Sequence, residues 1–311
     1  MPERAQALAY TNSHKTGALA VTLGASMWGL FWIPLRYLDN AGISGLWSIA
    51  LVTLCAALPA ILLTAYRLEL PDFGALDTWL LGTALGLATV LYFIGVLYSD
   101  VVRVVFLFYL LPVWTIISAR VIYGEKIHGI KLLVIALSLC GLWLLLGARP
   151  SIPLPENPGD WSALAAGFCW GVSLSVLRGE RKSASCASAA TTLLAACAIS
   201  TLGALAILHS SSDALLTLPK GDNLRNALLT STAFGMLAIF PSLLGQIWGA
   251  KQIPAATAAL LTMSEILVAT VSATILIGTE LNALSLAGGI VIISAVFLDL
   301  LTQYKAGQTN P

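Results

Sequence analysis

The sequence predicts an all-α membrane protein: ten transmembrane helices forming two inverted five-helix repeats around a central cavity. Three observations lead there. The residues are 58% hydrophobic and only 10% charged, against about a quarter charged in soluble domains, and mean hydropathy is +0.88. The apolar residues fall into ten runs near the roughly 20 residues a spanning helix needs. The chain also repeats itself internally, with an odd number of runs in each copy.

In order, the runs cover residues 17–38, 42–66, 74–98, 101–123, 129–147, 159–179, 184–208, 227–250, 254–277 and 283–303. Short polar breaks separate them: DNAG at 39–42, RLELPD at 67–72, the proline-rich RPSIPLPENPGD at 149–160 and LPKGDN at 218–223. Residues 1–16 are polar and read as a cytoplasmic N-terminal tail, and 304–311 as a cytoplasmic C-terminal one. The first run is about 22 residues long and lacks a small-residue cleavage site, so it is expected to stay as a span. With both termini in the cytoplasm, that face receives eleven of the sixteen Lys and Arg; Arg36, Arg103, Arg149, Lys220 and Arg225 fall on the other.

The repeat has two parts. Residues 25–36, ASMWGLFWIPLR, match 167–178, GFCWGVSLSVLR, at an offset of 142 that pairs Trp28 with Trp170, Gly29 with Gly171 and Gly17 with Gly159. At an offset of 154, Gly95 pairs with Gly249, Ser118 with Ser272 and Gly124 with Gly278; Glu125 and Glu280 align with one residue inserted. Both matches run in the same order, which argues for a duplicated five-helix unit, residues 17–148 and 159–303. Because five is odd, the second unit enters the membrane from the opposite side. Inverted repeats recur in secondary transporters, where a shared pathway opens to either side as the halves exchange conformations.

An apolar segment, a proline and a helix ending in Gly-Glu, from Pro112 to Glu125, return in diverged form from Ile266 to Glu280. With the Trp-Gly pairs opening each half, this pattern resembles the EamA-type drug/metabolite transporters over residues 17–303. FYLLPVWTI at 108–116 is similar to the corresponding stretch of bacterial aromatic amino acid exporters (YddG-like). The resemblance implies export of amino acids, aromatic or other apolar ones, or related metabolites from the bacterial cytoplasm across the inner membrane through a central cavity. Ile266 stands where the family's second proline would sit, so a bend there is not carried over.

Transporter sites lie near the bilayer midplane at the repeat interface. Trp28, Trp170, Tyr109 and Glu265 all fall near the midpoints of their runs, away from the interfaces that Trp and Tyr normally favour. The tryptophans either wall an aromatic pocket or pack beside Gly29 and Gly171. Trp32 continues a packing stripe. Tyr109 carries a hydroxyl that needs a partner at that depth. Pro112 bends the fourth run, as a fixed kink or as a hinge exposing a carbonyl to the cavity. Gln246 and Ser242 either bind a zwitterionic substrate or bridge helices. Arg36, Arg103, Arg120, Arg178 and Lys251 lie near run ends and are expected to snorkel to water. Glu265 cannot, and an acid at a helix centre costs roughly 2.5–3.5 kcal/mol. It is a proton-coupling or substrate-amine site in a wet cavity, a hydrogen-bonded acid between helices, or a lipid-facing residue.

Other classes find little support. GISG at 42–45 matches the serine motif of some intramembrane proteases but lies at a helix entrance, and His14, His128 and His209 all sit near helix ends. No P-loop, filter repeat, metal motif or cofactor motif is present. The five cysteines show no C-x-x-C or zinc-like spacing. A net charge of +1 gives no reason to expect a nucleic-acid partner. The expected partners are membrane lipid, a small-molecule substrate and, through Glu265, protons; a scaffold or channel-like protein is the alternative.

Overall fold

The computed structural model describes residues 2–43, 45–68, 76–148, 154–179, 184–210, 222–278 and 280–309. Among these residues every element is helical, and nine helical stretches are long and apolar enough to cross a membrane. A tenth apolar helix, Gly129–Leu145, is shorter. Loop residues Arg149, Arg181, Lys182 and Lys220, and Ser44 of the GISG motif, lie outside the described residues.

The first span is α1 (Pro2–Trp28) and α2 (Trp32–Asn40). The expected single helix breaks at Gly29–Phe31, where the amides of Leu30 and Phe31 reach back only three residues, to Met27 and Trp28. Pro34 supplies a cause: it has no amide to offer the carbonyl of Leu30. The residues read as a polar tail continue the helix back to Pro2. The second and third spans, α3 (Leu46–Tyr66) and α4 (Leu76–Tyr98), are unbroken.

The fourth span is α5 (Val101–Phe108) and α6 (Leu111–Tyr123). Asp100 caps α5 by accepting the Arg103 amide at 3.1 Å. The chain breaks at Tyr109–Leu110, and Pro112 follows in the first turn of α6, where a missing amide costs least. Then come α7 (Gly129–Leu145), α8 (Pro158–Gly179) and α9 (Ser185–Ser210). The eighth span is α10 (Asp222–Phe234), a wider π-helical stretch Gly235–Ile239, and α11 (Phe240–Ala250). Pro241 begins α11 and frees the carbonyl four residues earlier, within that wider stretch.

The ninth span is α12 (Ala255–Leu261) and α13 (Ser264–Ile277), and α14 (Ala283–Thr309) is the tenth. No bend was carried over to the ninth span, because Ile266 replaces the proline, yet it breaks at Thr262–Met263, level with the break in the fourth. A tertiary contact holds this region. Gly29 packs so closely on α13 that a Cβ there would lie 2.4 Å from the Glu265 carbonyl oxygen. Gly171 packs likewise on Leu111, with 2.7 Å for the same test. Both spans end in a left-handed glycine, Gly124 (φ 67°) and Gly278 (φ 76°).

Packing between spans comes in matched pairs. α4 lies on α8, and α1 on α11; α5 and α6 lie on α8, and α12 and α13 on α1; α3 meets α9, and α7 meets α14. Single residues repeat the pattern. Gly95 faces Gly159, and Gly249 faces Gly17. Ser118 of α6 shares a 2.7 Å hydrogen bond with Ser175 of α8, while Ser272 of α13 accepts the Trp32 indole N–H of α2 at 3.1 Å.

Candidate functional site

These pairings bring α1, α4, α5, α8, α11, α13 and the break before α13 around one cavity. It is lined by Trp28, Ala88, Thr89, Tyr92, Phe93, Phe108, Trp170, Gln246, Thr262 and Glu265. Three pairs of lining residues are related by the repeat offsets: Trp28 with Trp170, Tyr92 with Gln246, and Phe108 with Thr262. Both halves thus build the site from equivalent positions. The open space between them is about 10 Å³, room for roughly one water molecule. The walls are therefore collapsed on one another.

The aromatic side chains form a connected wall. The Trp28 and Trp170 rings lie 6.4 Å apart, Phe108 lies 6.4 Å from Trp170, and Tyr92 lies 4.7 Å from Phe108. Phe31, behind Trp28 at 5.2 Å, stacks on Phe234 and meets Phe93 edge-on. Offset and edge contacts of this kind hold rings in fixed orientations. The wall is thus a stiff apolar surface with few polar groups set into it.

Of the residues singled out from the sequence, Trp28, Trp170, Gln246 and Glu265 line the cavity. Tyr109 is fully buried at the break between α5 and α6, behind the lining. Its hydroxyl approaches the Glu265 carboxyl without completing a hydrogen bond, and the Trp170 indole N–H also lacks a partner. Buried donors are rarely left so. The lining therefore offers one carboxyl, the Trp170 indole N–H and the Gln246 amide inside an aromatic wall. Ser242 bridges helices, donating to the Gly24 carbonyl at 2.6 Å and standing 3.4 Å from the Gln246 amide nitrogen. Pro112 lies four residues beyond Phe108, outside the lining.

Three of the expected snorkelling cations behave otherwise. One guanidinium nitrogen of Arg178 is buried. Lys251 is only 4% exposed, and Arg103 pairs with Glu156 at 2.5 Å and Asp160 at 3.2 Å. Nearby carboxylates retain Arg103 at the helix end, where run-end position alone suggested water. Arg120 caps the end of α6 through the carbonyls of Gly124 and Glu125. Thr89, Tyr92, Phe93, Phe108 and Thr262 were not singled out from the sequence. The 154-residue offset was a usable signal for one of them, since it places Tyr92 opposite Gln246; it pairs Phe108 with Thr262, and neither stood out by itself. Among the described residues, no group of three or more His, Cys, Asp or Glu is placed to hold a metal ion.

No curated protein matches the chain. A solved structure described only as "Crystal structure of protein" shares its fold, with a TM-score of 0.73 over 94% of this chain and 96% of that one, at 17% identity. The sequence profile of the EamA-like transporter family matches twice, over residues 15–147 and 157–301, one copy on each half of the helix bundle. This integral membrane protein, with its cavity built from equivalent residues of two repeats, belongs to the EamA-like transporter family.

Proposed function

We propose that the chain is a secondary transporter, not an enzyme, that exports amino acids, aromatic or other apolar ones, or related small metabolites by alternating access. The observation that carries this reading is the cavity itself: Glu265 and a few polar groups set in an aromatic wall between the two repeats. Such a pocket suits a substrate with an apolar body and an amine, the rings taking the body and the carboxyl the amine. The Trp170 N–H and the Gln246 amide are donors for the substrate's acceptor end. The likeness of residues 108–116 to aromatic amino acid exporters points to the same class.

The exchanged contacts support two repeats, residues 17–148 and 159–303, related by inversion. Gly29 sits on the Glu265 carbonyl as Gly171 sits on that of Leu111, and an odd number of spans separates the equivalents. In this arrangement the halves swap roles as the site changes sides. Pro112 fixes the start of α6, so the fourth span hinges at Tyr109–Leu110. The distribution of Lys and Arg favours both termini in the cytoplasm, and the likeness of residues 108–116 to bacterial exporters points to a bacterial inner membrane.

Glu265 takes a proton when it has no amine to pair with, which couples export to the proton gradient. The test is Glu265→Gln in proteoliposomes with and without a pH gradient. The variant is expected to fold and to lose the gradient dependence of flux. Retention of that dependence would remove the coupling role from Glu265.

A further inference from the structure

The two short helices bordering the cavity, α5 and α12, are tied down at their far ends, at equivalent positions. Arg103 is the third residue of α5 and Thr257 the third of α12, separated by the offset that pairs Gly124 with Gly278. Each is held by an aspartate with no exposed surface, carried on another span. Asp160, near the start of α8, takes the Arg103 guanidinium at 3.2 Å, the Glu156 amide at 2.9 Å, the Asn157 side chain at 3.1 Å and the Ser99 hydroxyl. Asp299, late in α14, takes the Thr257 hydroxyl at 2.7 Å, the Gln303 amide at 2.7 Å and the Lys131 ammonium. Lys131, at the start of α7, also reaches Thr257 at 3.1 Å.

Successive spans alternate in direction, and α12 begins five spans after α5, so the two clusters lie at opposite ends of the bundle. At their other ends both helices stop at a chain break beside the cavity, Phe108 closing α5 and Thr262 following α12. Each short helix is therefore a segment with a break at the site and a tether at the surface end. Buried ionic clusters add little to stability compared with apolar packing, so stability alone does not account for two of them here. With both tethers made, the space between them holds about one water. Admitting a substrate requires a wall to move.

We propose that Asp160 and Asp299 are gate latches: each pins one short helix, α5 or α12, and its release opens the cavity towards that end of the bundle alone. The proposal rests on the transport reading. The first step is release of Arg103 from Asp160, or of Thr257 from Asp299. The short helix then swings about Tyr109–Leu110 or Thr262–Met263 while α6 or α13 stays packed through Gly171 or Gly29.

The test places a reporter in the cavity with Thr89→Cys and reads labelling at position 89 by peptide mass spectrometry. A membrane-impermeant maleimide is added to one face, then the other, of vesicles holding the protein in one orientation. Asp160→Asn is expected to raise labelling about tenfold from the α5 end and leave the other face unchanged, the scale of one charged hydrogen bond. Asp299→Asn should do the reverse. Should either aspartate variant fail to fold, Arg103→Gln and Lys131→Gln loosen the same clusters from their part-exposed partners and carry the same expectation. Equal increases from both faces, or none in folded variants, overturns the proposal. Labelling needs no substrate, so this result and the flux result can fail independently.

Discussion

Glycine at positions 29 and 171 is demanded by the neighbouring helix. A side chain at either would press on a backbone carbonyl, Glu265 or Leu111, that cannot swing away as a side-chain tip can. Gly29→Ala and Gly171→Ala are each expected to cost about 1–3 kcal/mol, the range for overpacking a tight contact. Thermal melts in detergent read this directly, and an unchanged midpoint would show that α13 or α6 shifts freely. Tyr109 makes the opposite case. Its hydroxyl has no completed partner, so Tyr109→Phe should leave stability within about 1 kcal/mol. If the hydroxyl serves Glu265 or substrate, flux falls all the same; unchanged flux assigns Tyr109 to packing. Trp28, Trp170 and Glu265 stood out in a linear string by their depth, and Gln246 by its polarity within an apolar run; all four line the cavity. Phe93 was not, since an aromatic residue in an apolar span gives no sign of which face it takes. Asp160 was hidden among loop punctuation, and Asp299 by its place near the end of the last run.

At the scale of elements, the spans were legible, and of the breaks only the one beside Pro112 in the fourth span was. Length and hydropathy locate a crossing, but a break depends on contacts from distant chain. The ninth span interrupts without proline, beside a glycine from the first; the first interrupts three residues before a proline within an apolar run. Proline therefore marks some of the breaks without deciding where all of them fall. In the fourth span Pro112 keeps α6 from joining α5, because residue 112 cannot donate to the Phe108 carbonyl. Pro112→Ala restores that donor and is expected to stiffen the hinge. Turnover should fall several-fold with little change in apparent substrate affinity, and a variant that turns over as fast as the parent would take the hinge role away from Pro112.

On the scale of the whole molecule, one set of contacts made twice with the halves exchanged brings equivalent residues to the centre and sends the two aspartate clusters to opposite ends. The duplication was legible from two offsets. The collapsed cavity and the Arg103–Asp160 tether were not, because both arise where the repeats meet; the Thr257–Asp299 tether joins two spans of the second repeat that are far apart in the sequence. The central claim is that this shared cavity carries a small amine-bearing substrate across the membrane. Flux of radiolabelled amino acids, aromatic and aliphatic, into or out of liposomes holding the purified protein tests it most directly. Saturable flux of at least one aromatic or apolar amino acid, reduced by Glu265→Gln, is the expected result. Absence of flux for every amino acid tested, from protein shown to be folded, would contradict it.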